Sequence, residues 1–419
     1  MNRVALASGT GSSAADEWRR GWPLVLSTAI GLTCAPTTLP VYTIGVFVAP
    51  LSLAFGWSRG AIQTSILFSS GLGTVSAPLV GVAIQRFGIR ATVLVGLAGM
   101  SLSCLAAAAM TGALWQLYVA YSLMALLGAG AGGIAWSALI TAGFQQTRGL
   151  ALGLALSGTG VSAILMPQIA AAALRDHGWR TGYVALAAFG LLVVLPLCAF
   201  CLRNGRGVLP GMGERSENTT GLSAREAVRT WRFWILGFAT AATYFAVGGA
   251  IPNLVPALTD KGITTSAAVA ALGGLGGAII LGRITVGALL DRVWGPAVAT
   301  IVLLPAAIGC VALTLPASLG SYIVAAAAIG VATGMELDML AFLAARYFGQ
   351  ADYPRIYSRL YMFLAAPAGV APLSFGYLFD ATGSYRLPFR LAAGMLVASA
   401  ASLLALGRYP VLVRRPDAG

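Results

Sequence analysis

The chain has very little with which to meet water. Only 9% of its 419 residues are charged, 13 of them acidic, and it holds a single lysine, Lys261, and a single histidine, His177. An ordinary soluble domain carries about 25% charged residues, so no water-facing shell can be built from this composition. One histidine, placed in a turn, excludes a histidine-based metal or acid–base centre, and no acid, base and nucleophile cluster is visible elsewhere. The chain is therefore not expected to be an enzyme, and no cofactor or metal is expected. There is no P-loop lysine motif, which excludes ATP-driven pumping by this chain alone. The five cysteines, Cys34, Cys104, Cys198, Cys201 and Cys310, all fall inside apolar segments and read as small buried hydrophobes, not a disulfide set. Cys198-x-x-Cys201 lacks the further ligands of a metal site.

The net charge of +13 is scattered through turns between apolar stretches and forms no clustered face, which argues against nucleic acid as a partner. The first twenty residues hold Arg3, Asp16, Glu17, Arg19 and Arg20 ahead of an apolar run too long and too late for a signal-peptide core, so a retained amino-terminal tail is expected.

What the chain has in abundance is apolar length: 58% of it is hydrophobic, and it holds 53 glycines. A hydrocarbon core about 30 Å thick takes about 20 apolar residues per helix, and small residues let membrane helices approach closely. Hydropathy places twelve spans at 22–50, 59–84, 91–110, 114–141, 149–174, 182–202, 232–258, 265–290, 296–315, 319–345, 357–379 and 387–407. An all-α membrane protein of twelve helices is expected. Gly128-x-Gly130-x-x-Gly133 fits a dinucleotide fingerprint in spacing only; it lies in an apolar helix with no preceding strand and reads as a packing seam.

Arginine is concentrated in alternate turns, among them Arg86, Arg90, Arg148, Arg203, Arg292, Arg346 and Arg355. By the positive-inside rule this puts both termini in the cytoplasm. The polar stretch Arg203 to Thr230 falls near the midpoint. The expected division is a tail at 1–21, a six-helix bundle at 22–202, a linker at 203–231, a second six-helix bundle at 232–407 and a tail at 408–419. The halves repeat: Gly81-x-x-x-Gln85-Arg86-x-Gly88 is echoed by Gly287-x-x-x-Asp291-Arg292, and Asp176-His177-Gly178-Trp179-Arg180 by Asp380 to Arg386. Parallel six-helix repeats are the architecture of rocker-switch carriers, with a solute site near the midplane between halves.

Three charges stand inside apolar spans, where each costs about 2.5–3.5 kcal/mol on insertion scales and marks a functional candidate. Arg283 lies in the eighth span, two turns from its end. Glu336 and Asp338 lie in the tenth at comparable depth. Two residues apart on a helix, the carboxylates point about 200° away from each other, so one is expected to line a path while the other braces. A guanidinium is a permanently charged planar fork suited to a carboxylate; the alternative is that Arg283 pairs permanently with Glu336 or Asp338. Burial raises a carboxyl pKa and a nearby guanidinium lowers it, so an anion that takes Arg283 would leave a carboxylate ready to gain a proton. Tyr42, Tyr121, Trp136, Tyr244 and Tyr361 are candidate walls of the site, with ordinary helix packing as the alternative for each. Asn253 is a further polar candidate. Pro36, Pro40, Pro252, Pro256 and Pro367 are candidate bends.

Gly81 to Arg90 and Gly287 to Arg292 resemble the loop signature of the major facilitator superfamily. Phe55-Gly-Trp-Ser-Arg59, Arg148-Gly-Leu-Ala-Leu-Gly153, Arg346-Tyr-Phe-Gly349 and Leu378 to Tyr385 look like its bacterial branch related to monocarboxylate transporters and oxalate/formate antiporters. The resemblance covers nearly the whole chain. It implies gating roles for Gln85, Arg86, Asp291 and Arg292, although Gln85 stands where the family usually has an aspartate, which weakens the first gate's charge. It also implies that Arg283 occupies the position of the arginine that holds the substrate carboxylate. Animal relatives add a lysine on the first helix and the oxalate carrier one on the eleventh; here the eleventh reads Leu360-Tyr-Met-Phe-Leu-Ala-Ala-Pro367, with no charge. One cationic anchor favours a monoanion. The expectation is a proton-coupled carrier of a small organic anion in a bacterial inner membrane, working as a monomer. An exporter of amphipathic molecules and a nontransporting receptor of the same fold are the alternatives.

Overall fold

The computed structural model describes residues 14–144, 147–204, 221–290 and 292–410. Asp291, most of the linker and the outer parts of both tails lie outside the described residues. Seventeen α-helices follow one another: α1 (Ala14–Thr33), α2 (Leu39–Phe55), α3 (Arg59–Phe87), α4 (Ile89–Ala108), α5 (Leu114–Leu127), α6 (Gly133–Gly143), α7 (Arg148–Leu156), α8 (Gly158–His177), α9 (Trp179–Phe189), α10 (Leu195–Cys201), α11 (Ala224–Arg229), α12 (Trp231–Thr259), α13 (Thr265–Leu290), α14 (Gly295–Ala312), α15 (Leu319–Phe348), α16 (Tyr353–Thr382) and α17 (Arg386–Ala405). Among the described residues the one β-type pairing is an isolated bridge between Gly221 and Gly349.

These helices make twelve crossings. Among the described residues nine continuous stretches are long and apolar enough to span a bilayer; the other three crossings are α3 and two broken helices. In a bilayer every backbone group must be satisfied internally, so a break needs local compensation. The first crossing, expected as one span at 22–50, is α1 followed by α2. Pro36 has no N–H to continue the ladder, and Thr38 Oγ1 donates to the Leu32 and Ala35 carbonyls at 2.7 and 3.2 Å. Pro40 then sits in the first turn of α2, where its missing N–H costs nothing. The fourth crossing breaks between α5 and α6 at a short 3-10 turn, Ala129–Ala131. There a β-carbon on Gly130 would collide with the Thr92 carbonyl, and one on Gly99 would lie 2.5 Å from the Leu127 carbonyl oxygen. The glycine run is thus a seam against α4 that also interrupts its own helix. Within the stretch read as a linker lies α11, whose start is fixed by a capping box between Ser223 and Glu226. That Ser-x-x-Glu spacing was present in the sequence and is a start signal.

Two apolar cores form, one from α1 to α10 and one from α11 to α17. Tyr42, Val46 and Ala163 are exceptions: they come from the first half and are buried in the core of the second. Outside the cores, Val95, Leu192, Phe200, Ile301, Ile308 and Val324 point outward with more than half their surface exposed, which is tolerable only against lipid.

The main contacts between halves are α3 with α16, α8 with α13 and α2 with α12. The first is closest where α3 begins: a β-carbon on Gly376 would lie 2.7 Å from Gly60 Cα. The second lies at mid-depth, where a β-carbon on Gly160 would lie 2.6 Å from the Gly276 carbonyl oxygen. By contrast α1, α6 and α7, at the other end of the first half, make their main contacts within that half. The end of the molecule holding Arg59, Asp260 and Asp380 is called the closed face below, and the end holding Arg86, Arg292 and Arg346 the opposite face.

Gly130→Ala is expected to destabilise the protein by about 1–3 kcal/mol, as overpacking does. Detergent-solubilised protein should show a lowered thermal midpoint; an unchanged midpoint would mean that α4 and α5 are free to separate.

Candidate functional site

The site rests on the packing of α13 against α15. A β-carbon on Gly334 would lie 2.5 Å from the Ile279 carbonyl oxygen, and one on Gly282 2.9 Å from Val331 Cα. This close approach brings the turn holding Arg283 against the turn holding Glu336 and Asp338. Arg283 is buried, at 9% exposure, and its Nε has no hydrogen-bond partner; neither does the buried Oε2 of Glu336. Among the described residues no guanidinium nitrogen of Arg283 comes within 4.0 Å of a carboxylate. Arg283 is nevertheless close enough to interact electrostatically with Glu336 and Asp338. The permanent brace considered from sequence is thus not formed in this state.

Around this centre stand hydroxyls from both halves. Tyr42 on α2, Tyr244 on α12 and Tyr361 on α16 all lie within electrostatic reach of Glu336. Tyr42 also lies within reach of Arg283. Asp338 is in reach of Tyr357, which sequence reading did not single out although it precedes Tyr361 by one helical turn. The two carboxylates therefore face different neighbours, as their angular separation on α15 requires, yet Arg283 senses both. Tyr361 is 39% exposed, and Tyr244, Glu336 and Asp338 are partly exposed. The cluster is lined, not sealed.

The structure does not bring the remaining candidates to this centre. Tyr121 is fully buried in the core of the first half, its hydroxyl 3.2 Å from that of Tyr183. Trp136 is equally buried, donates from Nε1 to the Ala131 carbonyl at 2.9 Å, and packs over Gly31. Their aromatic character alone did not distinguish core from wall. Asn253 lies nearer the closed face, donating to the Gly249 carbonyl at 2.9 Å and accepting from Gln63 Nε2 at 3.2 Å across the two halves. Gln85, Arg86 and Arg292 are exposed at the opposite face; Asp291 lies outside the described residues.

Sequence reading missed a charged latch at the closed face. The Arg59 guanidinium, from the first half, makes two hydrogen bonds with Asp260, from the second, at 2.7 and 2.8 Å. It stacks 3.9 Å from the centre of the Phe379 ring and donates to the Tyr385 hydroxyl at 3.4 Å. Asp380 accepts from the backbone N–H groups of Arg59 and Gly60 at 3.1 and 2.8 Å, capping the amino-terminal end of α3, where a negative charge is favoured. A two-pronged arginine–carboxylate pair is the strong form of such a contact. Burial pushes the neighbouring Tyr385 hydroxyl up to about 12, against the Arg59 charge that lowers it, so the phenol stays neutral across the physiological range. The signal was in the sequence, since Arg59 and Asp380 sit in the motifs Phe55 to Arg59 and Leu378 to Tyr385, but nothing local pointed to a contact across 321 residues.

Twelve crossings in two halves, joined at one face, with Arg283 the one buried cation among the described residues, define a membrane carrier. The chain belongs to the Major Facilitator Superfamily, whose model matches residues 26–336, and it is a transporter, not an enzyme. It is 27% identical over 406 residues to monocarboxylate transporter 13 of Rattus norvegicus, covering 93% of this chain and 89% of that one. It is also 27% identical over 254 residues to the oxalate:formate antiporter of Oxalobacter formigenes, covering 59% and 57%. Among solved structures it resembles a bacterial homolog to the human lysosomal transporter Spinster in an inward-facing and occupied conformation. That likeness has a TM-score of 0.65 at 17% identity, covering 94% of this chain and 97% of that one.

Removing the latch should open the closed face. In a Gln63→Cys background, Arg59→Gln or Asp260→Asn is expected to raise labelling by a membrane-impermeant maleimide from that side several-fold. Equal labelling with and without the latch would show that the Gly60–Gly376 seam alone keeps the face shut.

Proposed function

We propose that the chain carries a small organic anion, most simply a monocarboxylate, by alternating access coupled to protons, with Arg283 as the substrate anchor. The observation that carries this reading is the buried Arg283, whose Nε lacks a hydrogen-bond partner beside two carboxylates that it does not touch. A buried charge without close partners is costly in a membrane, and a carboxylate presented to the planar guanidinium relieves that cost with two parallel hydrogen bonds. The monocarboxylate and oxalate:formate carriers among the relatives support the same class of cargo. With a single cationic anchor and no charge along 360–367, a monoanion is balanced and a dianion is not.

Coupling follows from the same geometry. Arg283 shares one buried site with Glu336 and Asp338, so the charge brought to Arg283 bears on both carboxyls. An arriving anion adds a negative charge there, and a proton taken up by the more buried carboxyl compensates it. Glu336 is the first choice, because its Oε2 is buried and Tyr42, Tyr244 and Tyr361 surround it. Tyr42 comes from the first half and Tyr244 and Tyr361 from the second, so the occupied site is read by both halves, which is what a rocker-switch carrier needs. The closed face then corresponds to the outside of a bacterial inner membrane, with both termini cytoplasmic and the protein monomeric. Gln85, Arg86, Asp291 and Arg292 act in the cytoplasmic gate.

Arg283→Gln is expected to abolish uptake of labelled monocarboxylates into proteoliposomes while leaving the protein monodisperse in detergent. Wild-type uptake in this variant would remove the arginine from the mechanism and favour the exporter of amphipathic molecules. For the wild type, uptake should rise as the outside pH falls. Glu336→Gln or Asp338→Asn should retain counterflow exchange but lose pH-driven accumulation. If both variants still accumulate substrate against a pH gradient, protons are coupled elsewhere.

A further inference from the structure

Two buried atoms at the Arg283 centre lack partners, and they are of opposite kind. Arg283 Nε is a donor without an acceptor, and Glu336 Oε2 is an acceptor without a donor. They stand on neighbouring turns of α13 and α15, which approach closely through Gly282 and Gly334. Among the described residues no guanidinium nitrogen of Arg283 comes within 4.0 Å of a carboxylate. A carboxylate bound at Arg283 satisfies the donor and leaves the acceptor as it was.

The balance of charge points the same way. The ionisable groups within reach of Glu336 are Arg283 from α13, Asp338 from α15 itself, and the phenols of Tyr42 from α2, Tyr244 from α12 and Tyr361 from α16. Tyr357, also from α16, is in reach of Asp338. One guanidinium stands beside two carboxyl groups, and a bound carboxylate makes a third. A proton relieves this excess when the cargo is a simple acid. A positive charge on the cargo relieves it without a proton. An ammonium brings three N–H donors, one for Glu336 Oε2 and the others for phenol oxygens around it, and tyrosine rings attract a cation. A hydroxyl would satisfy the orphaned acceptor but brings no charge.

We propose that the site takes a monocarboxylate with an amino group on the adjacent carbon, a neutral α-amino acid, its carboxylate on Arg283 and its ammonium on Glu336. This rests on the Arg283 anchor proposed above and adds a second recognised group. The ammonium stands where a simple acid needs a proton.

Propionate, lactate and alanine share one carbon skeleton and differ at the second carbon by a hydrogen, a hydroxyl and an ammonium. Their affinities for the purified full-length protein are measured by titration calorimetry. The pair 4-methylpentanoate and leucine repeats the comparison with a longer chain. In at least one series the amino acid is expected to bind at least about tenfold more tightly than the simple acid, because a site built to pair with a polar group rejects the analogue lacking it. Lactate should stay near propionate. Glu336→Gln should bring the affinities of amino acid and simple acid together. A second readout needs no variant: in weakly buffered solution the wild type should make the bulk more alkaline on binding the simple acid and leave the pH unchanged on binding the amino acid. Simple acid or lactate binding as tightly as the amino acid in both series overturns the proposal and leaves the monocarboxylate carrier standing. So does a preference undiminished in Glu336→Gln, or equal alkalinisation by both ligands. Ligands that bind Arg283→Gln as tightly as the wild type, or no binding in either series, overturn the anchor as well.

Discussion

An ion that crosses a hydrocarbon layer has to be neutralised by something fixed within it, and in the proposed carrier that constraint falls on Arg283. Arg283 is held on α13, two turns before its end, where α13 and α15 approach closely through Gly282 and Gly334. It has neither a tight ion pair nor, at Nε, a hydrogen bond. A guanidinium locked to Glu336 or Asp338 would be more stable and useless as an anchor. Under the proposed mechanism, one held beside them without contact keeps its capacity to bind an anion.

The rest of the architecture serves access to that point. Around the site the halves meet through surfaces of small residues, Gly60 against Gly376 and Gly160 against Gly276. The Arg59–Asp260 pair and the Asp380 cap give the closed face a polar lock whose partners sit on opposite halves. The Gln63–Asn253 bond lies just inside it. Tyr42 adds a direct link, since it belongs to the first half by sequence and to the core of the second by packing. In the proposed mechanism a movement of one half against the other would move Tyr42 relative to Arg283 and Glu336.

Much of this was legible in the sequence, for a physical reason: a membrane chain advertises its crossings as apolar length and its functional charges as interruptions of it. The twelve spans were read to within several residues, and Arg283, Glu336 and Asp338 stood out because so little else is charged. Periodicity could not report the break at Pro36, because both pieces are apolar and the break is repaired by Thr38. Nor could it report the interruption at the glycine run of the fourth crossing. Tyr121 and Trp136 show the limit for aromatics, which are equally suited to a core or a wall. Only their neighbours, Tyr183 and Ala131, decide. The latch was illegible for another reason, since its partners are brought together only by the pairing of the halves.

The most direct test of the account is proton uptake on binding. Purified protein in weakly buffered solution is mixed with a saturating small monocarboxylate while the bulk pH is followed, over a range of starting pH. If an anion binding at Arg283 makes Glu336 or Asp338 take up a proton from solution, the solution must become more alkaline on binding, and the signal must vanish with Arg283→Gln. Binding with no change in bulk pH at any starting value would contradict the link between the anchor and the carboxylates.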